Sequence, residues 1–393
     1  MSRLSRSTLV VAMTALGVVA CTGSDIGPTS VVAPSNPAFS AVKFWDANAT
    51  TYWVEEAKSL TARRVVNPAR LNVYLTLAQL RAAEDAEAIQ PHPPTAAAIG
   101  AASAAVLKAF FPLDAAEIDD AFAQQCAAEP WPGAKHEDVA LGTPLGVAAA
   151  ARVLAYAASD RFGLANPGTP PTTPGHWLWN PGTTLVRGGY RARSFFLASD
   201  DEFRPGPPPA FGSPEYLAAL AEVRQVSDTR TPEQLAIAQY WNTNQSPASS
   251  AAIVNVALEL LRTHRRSDVE SARILFQMFG AVFDSGIGCF DAKFTYWFIR
   301  PPQADPLITT PVGLPNHPSY PSQHSCAAGA WTGVLMAAFP EDADRLEALA
   351  QEAGLSRLYA GIHYRFDMDT GRALGRKVAA KAMAADLDAV AVR

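Results

Sequence analysis

Apolar residues recur at helical spacing along most of the chain. The stretches around 43–59, 68–89, 94–110, 115–127 and 142–160 carry Ala- and Leu-rich stripes at three- and four-residue intervals and read as amphipathic helices. The periodicity returns at 214–225, 231–243 and 248–264, and it runs long through 267–299. It resumes at 324–338, 341–353 and 362–387. Residues 162–184, 204–214 and 301–321 interrupt it with Pro and Gly. Proline removes a backbone donor and fixes φ, so these segments read as structured loops of the kind that shape binding sites. β-Branched runs are few, there is no parallel-sheet pattern, and no internal repeat stands out. The expectation is an all-α helical bundle.

Composition adds a sizeable core, since 49% of the 393 residues are apolar. The formal net charge of −5 argues against nonspecific nucleic-acid binding. The N-terminus adds an address. Arg3 and Arg6 precede an apolar run from Leu9 to Ala20 that is too short to span a bilayer comfortably. It ends in Val18-Val19-Ala20-Cys21, which resembles a bacterial lipoprotein cleavage box. Residues 1–20 are therefore expected to be a signal peptide, with Cys21 as the lipid anchor and 21–40 as a flexible tether. An ordinary signal peptide with an incidental Cys is the alternative. No later apolar run reads as membrane-spanning, so the expected product is exported and held to a membrane through its anchor alone. Residues 41–245 form an N-terminal helical region with Pro-rich loops, and 246–393 the candidate catalytic region. Cys126, Cys289 and Cys326 allow one disulfide plus a thiol, or three thiols. No Cys/His spacing suggests zinc.

Three motifs carry the chemistry. In the first, KFTYWFIRP, Lys293 and Arg300 are seven residues apart, which predicts one face of one helix ended by Pro301. Two cations among aromatic residues are costly unless an anion meets them. In the second, NHPSYPSQH, Ser322 is placed as an N-cap, so its Oγ and the Gln323 N–H can face an oxyanion, with His324 in the first turn. In the third, SRLYAGIHYRFD, His363 and Asp367 at i and i+4 are expected on one helical face. The carboxylate would fix the imidazole tautomer and leave the second nitrogen bare, while Arg357 adds a forked donor. Together these residues suit a tetrahedral oxyanion and proton movement around it.

The set Lys293, Arg300, Pro301, Pro321, Ser322, His324, Ser356, Arg357, His363 and Asp367 resembles the signature of the vanadium-dependent haloperoxidases and type-2 phosphatidic acid phosphatases. Upstream, Pro174-Gly175-His176-Trp177, Phe203-Arg204-Pro205, Pro207-Pro208-Pro209, Arg230-Thr231-Pro232-Glu233-Gln234, Tyr240-Trp241 and Phe283-Asp284 resemble the bacterial haloperoxidase-like branch. The family normally has Gly where this chain has Gln323, whose backbone N–H can still donate while its side chain narrows the site. The resemblance implies a bundle of the vanadium haloperoxidase and acid phosphatase type. It also implies vanadate bound at His363 as vanadium ligand, or a phosphate ester as substrate. Lys293, Arg300, Ser322, Gln323 and Arg357 would hold the oxygens, and His324 would act as acid and base. Hydrogen peroxide and halide would be the co-substrates, with Lys293 polarising the bound peroxide. His317 matches a second His of brominating members. An acid phosphatase working through a phosphohistidine on His363, and an inactive binding lipoprotein, are the alternatives.

Overall fold

The computed structural model describes residues 48–127, 139–179, 184–242 and 247–390. The expected signal peptide, Cys21 and the tether lie outside the described residues. Among those described there are thirteen α-helices and no strand. They are α1 (Ala49–Arg63), α2 (Pro68–Glu87), α3 (Thr95–Phe110), α4 (Ala115–Ala127), α5 (Val139–Ala158), α6 (Pro214–Thr229) and α7 (Pro232–Tyr240). There follow α8 (Pro247–Thr263), α9 (Asp268–Tyr296), α10 (Pro301–Ala304), α11 (Gln323–Ala338), α12 (Ala343–Tyr359) and α13 (Arg365–Ala384).

The axis of the fold is α9. Ser267 opens it with a capping box closed by Glu270, and from Ser271 to Phe294 nearly every side chain is buried. Helices α2, α11 and α13 pack around it. One cluster of buried apolar side chains runs from Ala49 to Val390 through both the earlier and the later helices. By length and composition α5 and α9 could each cross a membrane, where the sequence pattern had suggested no such run. In α9 this apolar character is that of a core helix, for 89% of its most apolar window is buried. The α5 window is 39% buried.

Two carboxylates on α9 anchor the Pro-rich excursion between α5 and α6. Asp284, fully buried, accepts from the backbone N–H groups of Phe195, Phe196 and Leu197. Asp291 takes the Arg204 guanidinium in a two-pronged pair of 2.6 and 2.9 Å. Small residues then set the contact between α11 and α13. A Cβ on Gly375 would lie 2.1 Å from the Cys326 carbonyl oxygen, and one on Gly371 would lie 2.6 Å from that of Ser322. The two backbones therefore touch, and the start of α11 is held against the start of α13. Cys289 and Cys326 are free and buried, so no disulfide joins any two of Cys126, Cys289 and Cys326.

Candidate oxyanion site

Lys293 lies in the last turn of α9 with no exposed surface. Its Nζ donates to the carbonyls of Pro318 at 2.8 Å and Ser319 at 2.7 Å, leaving one of three donors. Burial, assisted by the nearby Arg300 charge, lowers its pKa to about 8.

Arg300 is not on the same helix, contrary to the seven-residue spacing. Helix α9 ends at Tyr296, and Trp297 turns left-handed at φ 47°. The chain then runs extended beside the 173–177 loop: the Trp177 N–H donates to the Trp297 carbonyl and the Ile299 N–H to the Gly175 carbonyl. Pro301 starts α10 rather than ending α9, as its missing N–H allows at a first helical position. The fully buried Arg300 guanidinium donates to the carbonyls of His317 (3.0 Å) and Ile362 (2.7 Å). It also donates to His317 Nδ1 and His363 Nε2, each at 3.0 Å. Arginine has no lone pair to accept with, so His363 Nε2 is an acceptor, while His317 Nδ1 lies between the Arg300 donor and the Pro318 carbonyl at 3.1 Å. Burial brings its pKa down to about 10.

His363 and Asp367 meet, but not as two residues of one helix. His363 precedes α13, and Asp367 in the first turn reaches back past the Tyr364 cap. Asp367 Oδ2 accepts from Ser319 Oγ at 2.6 Å, His363 Nδ1 at 2.8 Å and the Tyr364 N–H at 3.1 Å. His363 thus carries its proton on Nδ1 and presents a bare Nε2. Burial, then the charges of Arg300 and Lys293, hold its pKa well below the usual range, so it is neutral. Burial raises Asp367 to about 6 against the opposing pull of these donors, and it is ionised at neutral pH.

Ser322 caps α11, accepting from the Ser325 N–H at 3.4 Å. Gln323 opens the helix, where backbone N–H groups have no intrahelical partner. His324 follows, and its Nε2 donates to the Trp241 carbonyl at 2.9 Å, which leaves Nδ1 as the acceptor. Burial, then the Arg357 charge, keeps its pKa well below the usual range. Arg357 in α12 donates to Ser356 Oγ and to the Ala238 carbonyl, both at 2.9 Å. Ala238 and Trp241 are at the C-terminal end of α7, where carbonyls lack intrahelical donors and the dipole favours cations. His317 lies behind Arg300, with its ring 5.1 Å from that of Phe290.

The three motifs therefore converge: buried Lys293 and Arg300 feel the charge of Asp367, and buried Arg357 acts on Arg300 and His324. Sequence reasoning gave no role to Ser319, although it lies within the NHPSY stretch. It had no means of finding the Ala238 and Trp241 carbonyls, because a main-chain acceptor leaves no residue-type signal.

Residues 274–388 match the model of the PAP2 superfamily. This segment belongs to that superfamily. The PAP2 segment contains every side chain of the cluster, while α7 and its two carbonyls lie upstream of it. Similar solved structures include one titled the first bacterial vanadium-dependent iodoperoxidase. It has a TM-score of 0.70 at 20% identity, covering 86% of this chain and 95% of that one. A bacterial vanadium-dependent chloroperoxidase in its apo form gives a TM-score of 0.63 at 12% identity, over 80% of this chain and 92% of that one. The holo form of a bacterial vanadium-dependent chloroperoxidase gives 0.58 at 13%, over 88% and 93%. At these identities the likeness is one of fold, and it extends well upstream of the PAP2 segment. No curated protein matches the sequence.

Proposed function

We propose that this chain is a vanadate-dependent haloperoxidase-like enzyme that oxidises halide with hydrogen peroxide. The observation that carries the reading is the charge balance. Among the described residues, Arg300 and Lys293 are buried against a His363 nitrogen that carries no proton, and Arg357 is buried where it acts on Arg300 and His324. Asp367 is the carboxylate that acts on Lys293 and Arg300, and the surplus of positive charge suits a multiply charged oxyanion. Vanadate fits this donor set, with His363 Nε2 as the ligand atom and Lys293, Arg300, Arg357, Ser322 Oγ and the Gln323 N–H for its oxygens. When bound, vanadate activates hydrogen peroxide toward attack by halide. The chain's own residues orient, hold charge and move protons. Asp367 fixes the His363 tautomer, and Ser319 steadies Asp367. Arg300 turns its Nη1 donor from His363 Nε2 toward an oxygen. His317 acts through Arg300 by fixing the plane of the guanidinium. His324 is neutral and accepts a proton on Nδ1, then returns it, while the Trp241 carbonyl holds Nε2.

A second reading keeps the same site for a phosphate ester. The bare Nε2 of His363 is a competent nucleophile toward phosphorus, and His324 would protonate the leaving group. Purified protein tested in two assays decides between them: halogenation of an activated phenol with vanadate and peroxide, and hydrolysis of a chromogenic phosphate ester. The expected outcome is halogenation that disappears in His363→Ala while the protein stays folded. Hydrolysis without halogenation replaces this reading with the phosphatase, and activity in neither assay removes both.

A further inference from the structure

A second feature adjoins His324 on the side of α2 and α8. It is a cavity of about 230 Å³ between α2, α8, α9 and α11. Trp241, Val254, Phe279 and Trp331 wall it, and all four are buried. Ala69 contributes a small side chain from the first turn of α2. The polar lining is Gln323 and His324 from α11, with Asn67 and Asn72 from the start of α2. An apolar cavity of about 150 Å³ takes up a benzene ring, so this volume suits two fused rings. Apolar walls with a few placed polar groups are the mark of a small-molecule site.

Gln323 supplies the placed group. Its Oε1 is buried and has no hydrogen-bond partner. The amide lies close to Gly286, one turn beyond Val282 on the α9 face that walls the cavity; a Cβ on Gly286 would be 3.5 Å from Gln323 Nε2. A buried acceptor without a donor is an unmet demand, and a ligand that carries a donor can satisfy it. The family's usual glycine has no side chain to make that demand.

From this geometry we infer that the cavity binds the organic acceptor of the reaction, a fused bicyclic aromatic compound bearing a hydroxyl or ring N–H. The rings occupy the apolar walls, the donor meets Gln323 Oε1, and the ring edge faces His324. The assignment of this ligand as acceptor rests on the halogenation reading; the binding site itself does not.

The test is calorimetric titration of the full chain with 2-naphthol and with 2-methoxynaphthalene, which has the same rings and no donor. Wild-type protein should bind 2-naphthol at least fivefold more tightly. Gln323→Leu should abolish that preference. Ala69→Trp, which fills the cavity, should weaken both ligands at least tenfold, with thermal melts confirming that the variants are folded. Equal affinity of the two ligands for wild type, or an unchanged 2-naphthol affinity in Ala69→Trp, overturns the inference. Iodide oxidation by wild type without any organic acceptor reads the vanadate chemistry separately. If that fails while the titrations behave as stated, the site stands and halogenation falls.

Discussion

Replacing Asp367 by Asn tests how the His363 nitrogen is kept bare. Asp367 Oδ2 has three donors on it: the Ser319 hydroxyl, His363 Nδ1–H and the Tyr364 backbone N–H. An Asn could sit with its oxygen there or with its NH2 there. Ser319 could turn its hydroxyl to accept, and His363 could change tautomer, but a backbone N–H can only donate. The Tyr364 N–H therefore holds the amide oxygen in place, and His363 keeps its proton on Nδ1. What is lost is the charge behind the bond. A hydrogen bond to an ionised partner contributes about 1.5–3 kcal/mol and a neutral one about 0.5–1.5. The deficit of about 1–2 kcal/mol corresponds to roughly 5- to 30-fold in rate. Turnover of purified Asp367→Asn, in whichever of the two assays the wild type supports, should fall by that factor. The wild type should also lose activity as pH falls through about 6, where Asp367 takes up its proton. The sign follows from the raised pKa: the useful charge is present above it and gone below it. Asp367→Asn should lack that acid limb. In a catalytic triad where an Asn imposes the wrong tautomer, the loss is about 10⁴-fold. A fall of that size here would mean that the Tyr364 N–H does not govern the amide, and the reasoning would be refuted.

Burial holds Lys293 near pH 8, so phosphate or vanadate affinity should decline as pH rises through 8 and Lys293 loses its charge. Calorimetry on Lys293→Met should give weaker binding at neutral pH without that decline; the same limb in both proteins would assign it to another group. An oxyanion that binds only the folded chain should raise its Tm. At a hundred times Kd the gain is about 2.7 kcal/mol, or roughly 3 °C for a chain of this size. A melt in phosphate that matches one in chloride at equal ionic strength would remove the oxyanion from the argument. We further propose export with lipid attachment at Cys21, so mass spectrometry should find an acylated Cys21 peptide and Cys21→Ala should reach the soluble fraction. Unchanged membrane partition of Cys21→Ala would decide against the anchor.

The sequence disclosed the helices well where apolar periodicity was long, as in α2, α4 and α9, and it disclosed the convergence of the three motifs. It misled where a long-range contact overrides local spacing. Seven residues from Lys293 to Arg300 look like two helical turns. The left-handed turn at Trp297 is uncommon for a non-glycine residue, and it is accompanied by pairing with Gly175 and Trp177, more than a hundred positions away. The His363–Asp367 contact was anticipated on the wrong scaffold. Gly361, at φ 72°, already separates α12 from α13, so His363 stands outside the helix and Asp367 reaches back to it as part of a cap. Pro301 was read as a stop because proline both ends and begins helices, and only the extended backbone before it distinguishes the two.

The way the cations are held bears on what they are for. Lys293 is fixed by the carbonyls of Pro318 and Ser319, Arg300 by those of His317 and Ile362, and Arg357 by that of Ala238. A carbonyl orients a cation and replaces part of its hydration, yet it carries no net charge to cancel it. Carboxylate partners would have made these residues cheaper to bury and useless to an incoming anion. Among the described residues, the carboxylate that acts on Lys293 and Arg300 is kept on the other side of an imidazole. Asp367 binds Nδ1 of His363 while Arg300 binds Nε2, so the ring separates the negative charge from the guanidinium. Asp367 can then raise the electron density on Nε2 without occupying the donors that face the anion. Exchanging any of these carbonyl contacts for an acidic side chain would stabilise the empty fold and weaken oxyanion binding together, because both depend on the same uncancelled charge.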